Sequence, residues 1–108
     1  MELTKVILEF TLIPVGRIGT SASDLIAEAL KVVEDSNISY QVTPMATIIE
    51  GDNLEHLLSI VRKAHERLFE IGIKRVITSI LIDDRRDVER DMKKKVTSVM
   101  NKLKKGEN

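Results

Sequence analysis

The chain has 108 residues, with 17 Lys and Arg balanced by 17 Asp and Glu, so its formal net charge is zero. This balance argues against a dedicated nucleic-acid partner, because such proteins usually carry a basic excess, and one Tyr with no Trp leaves no platform for stacking bases. The absence of Cys excludes disulfides and thiol chemistry, and no segment approaches the ~20 apolar residues of a membrane span, so we expect a cytoplasmic protein with no membrane partner.

The first half of the chain alternates strand, helix and strand. Residues 4–13 are rich in Val, Ile, Leu and Phe, which is typical of a β-strand. After a loop with one Pro and two Gly, Thr20 or Ser21 can cap a helix that runs to about Asp35, because its apolar residues recur at helical spacing. Ile38–Thr43 alternates apolar and polar residues and predicts a second strand.

The second half repeats this order and adds a helix. Pro44 predicts a turn, because proline cannot donate to a β-ladder. The remaining predicted elements are a strand, an amphipathic helix, a strand and a charged helix: Met45–Glu50, Leu54–Ile71, Ile73–Ile82 and a segment ending near Lys104. Asp83 or Asp84 is expected to cap that last helix, since acids favour the positive end of the helix dipole.

The order of elements predicts an α+β fold. Two halves of similar length, residues 4–43 and 45–82, give the order β-α-β-β-α-β, followed by an extra C-terminal helix. Right-handed crossovers would place both helices of these halves on one face of a four-stranded antiparallel sheet, a ferredoxin-like sandwich with the second and fourth strands at its edges. We expect one domain over residues 1–108, with its function on the sheet face that no helix of these halves covers.

Polar residues interrupt otherwise apolar strands. Glu9 lies within the first strand, where a buried carboxylate is costly unless it has a partner, so it is expected to contact a ligand or a cation across a strand or a subunit. If the strands are phased together, the helix-free face collects these residues: Glu9, Thr11, Gln41, Thr43, Thr47 and Thr78. Thr is also a favoured strand residue, so each hydroxyl has a purely structural alternative. Interleaved Ile residues make this face too apolar to leave in water, which predicts a subunit interface enclosing a small polar pocket.

Other motifs carry little chemistry. The loop Gly16–Thr20 precedes a helix and could hold an anion, but it lacks a phosphate-binding glycine pattern. His56 and His65 are nine residues apart on one helix, hence on opposite faces, and are expected to be ordinary surface residues. A metal site among the acids at the start of the last helix is not favoured: Asp83, Asp84 and Asp87. No catalytic residues can be assembled, and no metal or cofactor is expected.

Three segments of the chain carry a resemblance to a known family: VILEFTLIPVG-x-x-GTSASDLIAEAL, YQVTPMATIIEGDN and RVITSILIDDRRD. The most specific piece is T-P-M-A-T-x-x-E-G, at Thr43–Gly51. Over about residues 4–104 the chain resembles the thiamine-binding protein family, small relatives of the tandem YkoF protein.

The resemblance implies a ferredoxin-like domain that assembles into dimers or tetramers. It further implies binding of thiamine, or of its hydroxymethylpyrimidine part, between the sheet and a neighbouring subunit, with no established enzymatic activity. Two short family motifs are met by these residues: Gly19, Thr20 and Ser23 in the loop, and Thr47, Glu50 and Gly51 at the third strand.

We therefore predict a non-catalytic homo-oligomer, a dimer or a tetramer, that binds thiamine or a hydroxymethylpyrimidine-like small molecule. Glu9 and Gln41 would recognise the aminopyrimidine. The pocket would be lined by hydroxyls and by the two motif residues: Thr11, Thr43, Thr47, Thr78, Thr20 and Glu50. An alternative is an oligomeric regulatory or structural module whose sheet face serves only protein–protein assembly. A third interpretation, an enzyme with Glu9 or Glu50 as general base, lacks a visible partner with a tunable pKa.

Overall fold

The structure, a computed structural model, describes residues 5–16, 19, 21–87 and 92–106. Its elements are, in chain order, β1 (Val6–Val15), α1 (Ala22–Asp35), β2 (Ser39–Val42), β3 (Thr47–Gly51), α2 (Leu54–Glu70), β4 (Arg75–Asp84) and α3 (Met92–Gly106). The four strands form one antiparallel sheet in the order β2-β3-β1-β4. The predicted α+β ferredoxin-like arrangement with an extra C-terminal helix is confirmed, including the edge positions of β2 and β4.

Local sequence signals define where the first two helices begin. The Ser21 hydroxyl accepts a hydrogen bond from the Asp24 N–H at 3.2 Å. The Asn53 side chain accepts from the His56 N–H at 3.1 Å. Each cap satisfies a backbone donor that the first turn of a helix leaves unpaired, which is why these short polar residues mark the starts of α1 and α2.

The core lies between the sheet and the helices α1 and α2. Successive side chains of a strand point to opposite faces, and β1 turns Leu8 and Phe10 toward the helices, where both are buried. The buried apolar residues of the other elements complete this layer: Leu25, Ala29 and Val33 of α1, Ile49 of β3, and Leu57, Ile60, Val61, Ala64 and Leu68 of α2. The two helices are also joined at their surface by Arg67, which donates to Glu28 at 2.8 Å.

The C-terminal helix contacts the sheet near Met92 and Lys95, and its apolar side chains remain exposed. Apolar side chains of α3 are largely uncovered, with Val96, Val99 and Leu103 exposed by 56%, 58% and 57%. The radius of gyration is 16.2 Å, against about 13 Å for a compact chain of this length. α3 therefore extends away from the core. None of the helices in the described ranges is long and apolar enough to cross a membrane.

The expected start of the last helix is wrong. β4 continues to Asp84, and residues 85–87 are not helical, so neither Asp83 nor Asp84 caps α3. Both acids pair with cations instead: Asp84 accepts from Arg86 at 2.7 Å, and Asp83 pairs with Lys95 of α3. Side-chain ion pairs therefore take the place of the expected helix-dipole contact.

Candidate functional site

The pairing of the strands decides which polar residues share the helix-free face. Residues directly opposite each other in an antiparallel pair point to the same side. Glu9 lies opposite Ile48 of β3, and Ile48 lies opposite Gln41 of β2. Glu9 and Gln41 therefore share the helix-free face, two strands and so about 10 Å apart, with an apolar residue between them.

Two of the predicted site residues lie on the other face. Thr47 is opposite Phe10, and Thr78 is opposite Leu12. Because Phe10 and Leu12 face the core, both threonines point to the helix side, and the expectation that they share a face with Glu9 is wrong. The runs around them, MATIIE and VITSILI, are apolar on both faces. Their sequence therefore does not indicate to which face of the sheet each threonine points.

Two further residues lie on the helix-free face but already have protein partners. The Thr11 and Ser79 hydroxyls are 2.5 Å apart across β1 and β4. Glu50 accepts a hydrogen bond from the Met92 N–H at 2.9 Å and thereby holds the start of the described part of α3 against the sheet. Thr20, the remaining predicted site residue, lies outside the described residues.

Glu9 is half-buried at the centre of the helix-free face. It forms no hydrogen bond or ion pair with any residue in the described ranges. Its neighbours across the strands, Ile48 and Leu81, are both apolar. The Glu9 side chain is thus available to a partner from outside the part of the chain that the structure describes.

A cavity of about 240 Å³ opens between α1 and the turn that joins β2 to β3. Its floor is the helix side of the sheet and one wall is α1, while the β2–β3 turn forms the rim. The lining residues are mostly apolar: Phe10, Thr11, Leu12, Ile26, Leu30, Val42, Thr43, Pro44, Met45, Ala46 and Thr47. The lining comes from three segments that are far apart in sequence, in β1, α1 and the β2–β3 connection, and only the fold brings them together.

Thr43 and Thr47 line the same cavity, but their hydroxyls differ in availability. The Thr43 hydroxyl donates to the Ala46 carbonyl at 2.8 Å and accepts from the N–H groups of Met45 and Ala46 at 3.3 and 3.0 Å. All the hydrogen bonds of this hydroxyl are therefore made within the turn. The Thr47 side chain is only 6% exposed, and its hydroxyl has no hydrogen-bond partner among the described residues. Thr47 is thus the residue that can offer a hydrogen bond to a molecule in the cavity.

The expectation that both histidines are ordinary surface residues is wrong for His65. Its Nδ1 lies 2.6 Å from the Thr78 hydroxyl, and its ring packs 5.3 Å from that of Phe69, so it is half-buried between α2 and β4. Thr78 is accordingly occupied by a contact within the fold. Its helix-side position and this contact could not be read from the strand, because His65 comes from the preceding helix.

The described residues offer little support for a metal site or for acid–base catalysis. No group of three or more His, Asp or Glu residues there is placed to hold a metal ion. Arg85 pairs with Asp87, and Arg86 pairs with Asp84. Glu28, Asp84 and Asp87 have lowered pKa values because arginines donate to them, which is the behaviour of structural ion pairs and not of a general base.

Sequence reasoning missed the cavity itself. Thr43 was predicted to line a site on the helix-free face, whereas it shapes a turn at the rim of a cavity on the helix side. The available signal was Thr-Pro-Met-Ala, because a Thr hydroxyl that bonds to the backbone two and three residues ahead is a common turn motif.

Known proteins resemble this chain along most of its length. A UPF0045 protein of Staphylococcus xylosus is 44% identical over 106 residues, covering 94% of this chain and 98% of its own. A UPF0045 protein of Methanothermobacter thermautotrophicus is 39% identical over 95 residues, covering 88% and 96%. The structure of a domain of unknown function, DUF77, from Bacillus cereus has a TM-score of 0.78 at 30% identity, covering 86% of this chain and 88% of that one. The model of the thiamine-binding protein family matches residues 8–100, and the chain therefore belongs to that family.

Proposed function

We propose that this chain binds thiamine or its hydroxymethylpyrimidine part, without catalysis, in the cavity between α1 and the β2–β3 turn. The observation that carries the proposal is the Thr47 hydroxyl, which has no hydrogen-bond partner among the described residues and lies in a mostly apolar cavity. Small-molecule sites commonly combine apolar walls with a few polar groups that fix orientation. Membership of a family named for binding, and not for a reaction, supports the same conclusion.

The size of the cavity favours the pyrimidine part of the ligand. Sites for drug-sized molecules measure roughly 300–1,000 Å³. At about 240 Å³ this cavity is smaller, and it suits one aromatic ring better than the two linked rings of thiamine. We therefore place the pyrimidine inside and leave any thiazolium part at the rim, beside the exposed Met45.

The chemistry of the lining suits an aminopyrimidine. Phe10, Leu12 and Ile26 offer apolar surface to the ring. A Thr hydroxyl both donates and accepts, so Thr47 can donate to a ring nitrogen or accept from the exocyclic amino group. Thr43 acts indirectly, since its hydroxyl holds the turn that forms the rim.

The predicted roles of Glu9 and Gln41 remain a separate proposal. They lie on the opposite side of the sheet from the cavity, on the face where α3 contacts Glu50 and Asp83. Exposed Ile13 and Leu81 on that face favour cover by a second copy, so we propose a homo-oligomer, a dimer or a tetramer. Glu9 and Gln41 could contact a ligand only after such assembly.

Isothermal titration calorimetry tests the ligand. We expect heat of binding with hydroxymethylpyrimidine and with thiamine, and none with hydroxyethylthiazole, which lacks the pyrimidine ring. No heat from the folded chain with either pyrimidine ligand at millimolar concentration would refute the proposed function. The variants Glu9→Gln and Thr47→Val distinguish the two faces of the sheet. If Glu9→Gln lost ligand binding while Thr47→Val bound the ligand normally, the site would lie on the helix-free face.

The second candidate function is an oligomeric module whose sheet face serves only protein–protein assembly. The exposed apolar residues of the helix-free face favour it. Native mass spectrometry of freshly purified protein reports the number of subunits and any retained ligand mass together. An oligomer without ligand, whose melting temperature neither pyrimidine compound raises, would support the module. An oligomer that retains a mass matching thiamine or its pyrimidine part would support the binder.

A further inference from the structure

Three cationic side chains line a cleft that lies apart from the proposed pyrimidine site. The cleft measures about 190 Å³ and is lined by Lys5, Ile7, Asp83, Arg85 and Lys95, and we call it the cationic cleft. It lies on the helix-free face, because Ile7 alternates with the core residues of β1 and Asp83 lies directly opposite Ile7. The proposed pyrimidine site opens on the other side of the sheet.

The ends of two neighbouring strands bring two of these cations together. Val6 of β1 is paired with Asp84 of β4. Lys5 comes one residue before this pair and Arg85 one residue after it, so the two cations lie across from each other just beyond the paired residues. Like charges directly opposite each other destabilise a sheet. An anion bound between the two side chains would offset that repulsion.

The start of the described part of α3 supplies the third cation. The Met92 N–H donates to Glu50 at 2.9 Å, and Lys95 pairs with Asp83. Glu50 and Asp83 both lie opposite Ile7, on the two strands that flank β1. These two contacts place the first turn of the described part of α3 beside the cleft, so the three cations come from three separate segments of the chain.

The charges of the lining favour an anion. Three cations face one carboxylate, Asp83, among the described residues that line the cleft. Two of the cations have their partners outside the lining, since Lys5 pairs with Asp52 at 2.6 Å and Arg85 pairs with Asp87 at 2.7 Å. The side chains of these two pairs are 41–72% exposed, and ion pairs in contact with water contribute little to stability. An anion that carries two or more charges can therefore compete with these carboxylates.

We propose that the cationic cleft binds the phosphate or diphosphate group of a small molecule. The planar guanidinium of Arg85 offers paired donors that match two phosphate oxygens, while Lys5 and Lys95 act as point charges. Because Lys95 belongs to α3, a bound anion also joins that helix to the ends of β1 and β4. The cleft shares no lining residue with the pyrimidine site, so this inference does not rest on the proposed function.

Calorimetric titration with inorganic pyrophosphate tests the cleft. We expect pyrophosphate to bind more tightly than inorganic phosphate, and both to bind more weakly as NaCl is added, because salt screens exposed charges. Lys95→Gln should raise the dissociation constant for pyrophosphate by about fivefold, since it removes one charge beside the anion. Lys74→Gln, an exposed change just before the other end of β4, is the matched control and should bind as the unaltered chain does.

Two results of these titrations would overturn the proposal. One is the absence of any heat when the folded chain is titrated with pyrophosphate at millimolar concentration. The other is equal affinity for pyrophosphate in Lys95→Gln and Lys74→Gln, because the cleft predicts a loss only where the removed charge lines it.

The carboxylate of the lining gives a test of the opposite sign. Asp83→Asn removes a negative charge from the cleft and releases Lys95 from its ion pair, so pyrophosphate should bind about fivefold more tightly. A purely structural role of Asp83 would not improve binding. Asp35→Asn, at the exposed end of α1, removes the same charge elsewhere and should leave the affinity unchanged. Equal affinity in the two variants would refute the cleft as the site.

Competition separates this inference from the proposed function. Pyrophosphate should not displace hydroxymethylpyrimidine, because the two sites lie on opposite sides of the sheet; displacement would place the anion in the pyrimidine site and overturn the cleft. If neither pyrimidine ligand binds but pyrophosphate does, with the variant effects above, the proposed function fails and the cleft stands. Sedimentation with phosphatidylglycerol vesicles identifies the source of the phosphate group. Binding to the vesicles without binding of pyrophosphate would mean a lipid headgroup, and the assignment to a small molecule would be wrong.

Discussion

Thr47→Val separates ligand binding from folding at the candidate site. Valine has nearly the shape of threonine, so the change removes the hydroxyl and leaves the cavity walls in place. In the free chain that hydroxyl forms no hydrogen bond with a described residue, so its loss breaks no hydrogen bond within the described fold. The free energy of unfolding should stay the same or rise slightly, because valine is at least as favourable in a strand.

The effect on binding follows from one lost hydrogen bond. A neutral hydrogen bond contributes about 0.5–1.5 kcal/mol net, so the dissociation constant for hydroxymethylpyrimidine should rise about two- to tenfold. Calorimetry measures that change, and urea denaturation followed by circular dichroism measures stability on the same samples.

Thr43→Val is the matched control at the rim of the same cavity. Its hydroxyl makes three hydrogen bonds to the turn backbone, so its loss should lower the free energy of unfolding by about 1–2 kcal/mol. The placement of the ligand would be refuted if Thr47→Val bound hydroxymethylpyrimidine as tightly as the unaltered chain.

Three further outcomes are expected from the fold. Asn53→Ala removes the acceptor for the His56 N–H and should lower the free energy of unfolding by about 1 kcal/mol in urea; an unchanged midpoint would contradict the capping role. Leu8→Ala leaves a void under both helices and should cost about 2–5 kcal/mol in the same assay. The hydrogen bond from Arg67 lowers the pKa of Glu28, so the pair stabilises the fold above the ordinary carboxyl pKa, and this contribution fades as the pH falls through the lowered value. Glu28→Gln should therefore lower the melting temperature at neutral pH and match the unaltered chain in acid.

Elements with a clear period or a local cap could be predicted from the sequence. Ser21 and Asn53 mark helix starts because the bonds they make span only three residues. The sequence also predicts that Glu9 points away from the core, because β1 alternates between large apolar residues and more polar ones. These features depend on near neighbours in the chain.

Features that depend on distant partners could not be predicted. Thr47 and Thr78 sit in runs that are apolar on both faces, so only pairing with β1 decides which way each points. The start of α3 was misplaced because Asp83 and Asp84 are used in ion pairs and β4 runs through them.

The order of strands and helices, the helix caps and the family were all readable from the chain, because each is written in short-range periodicity and motifs. The cavity and the division of polar residues between two faces were decided by the tertiary structure. A strand in a sheet has two sides that differ only by a shift of one residue, and neighbouring strands, not the strand itself, choose between them. That choice put Glu9 and Gln41 on one face and Thr47 on the other.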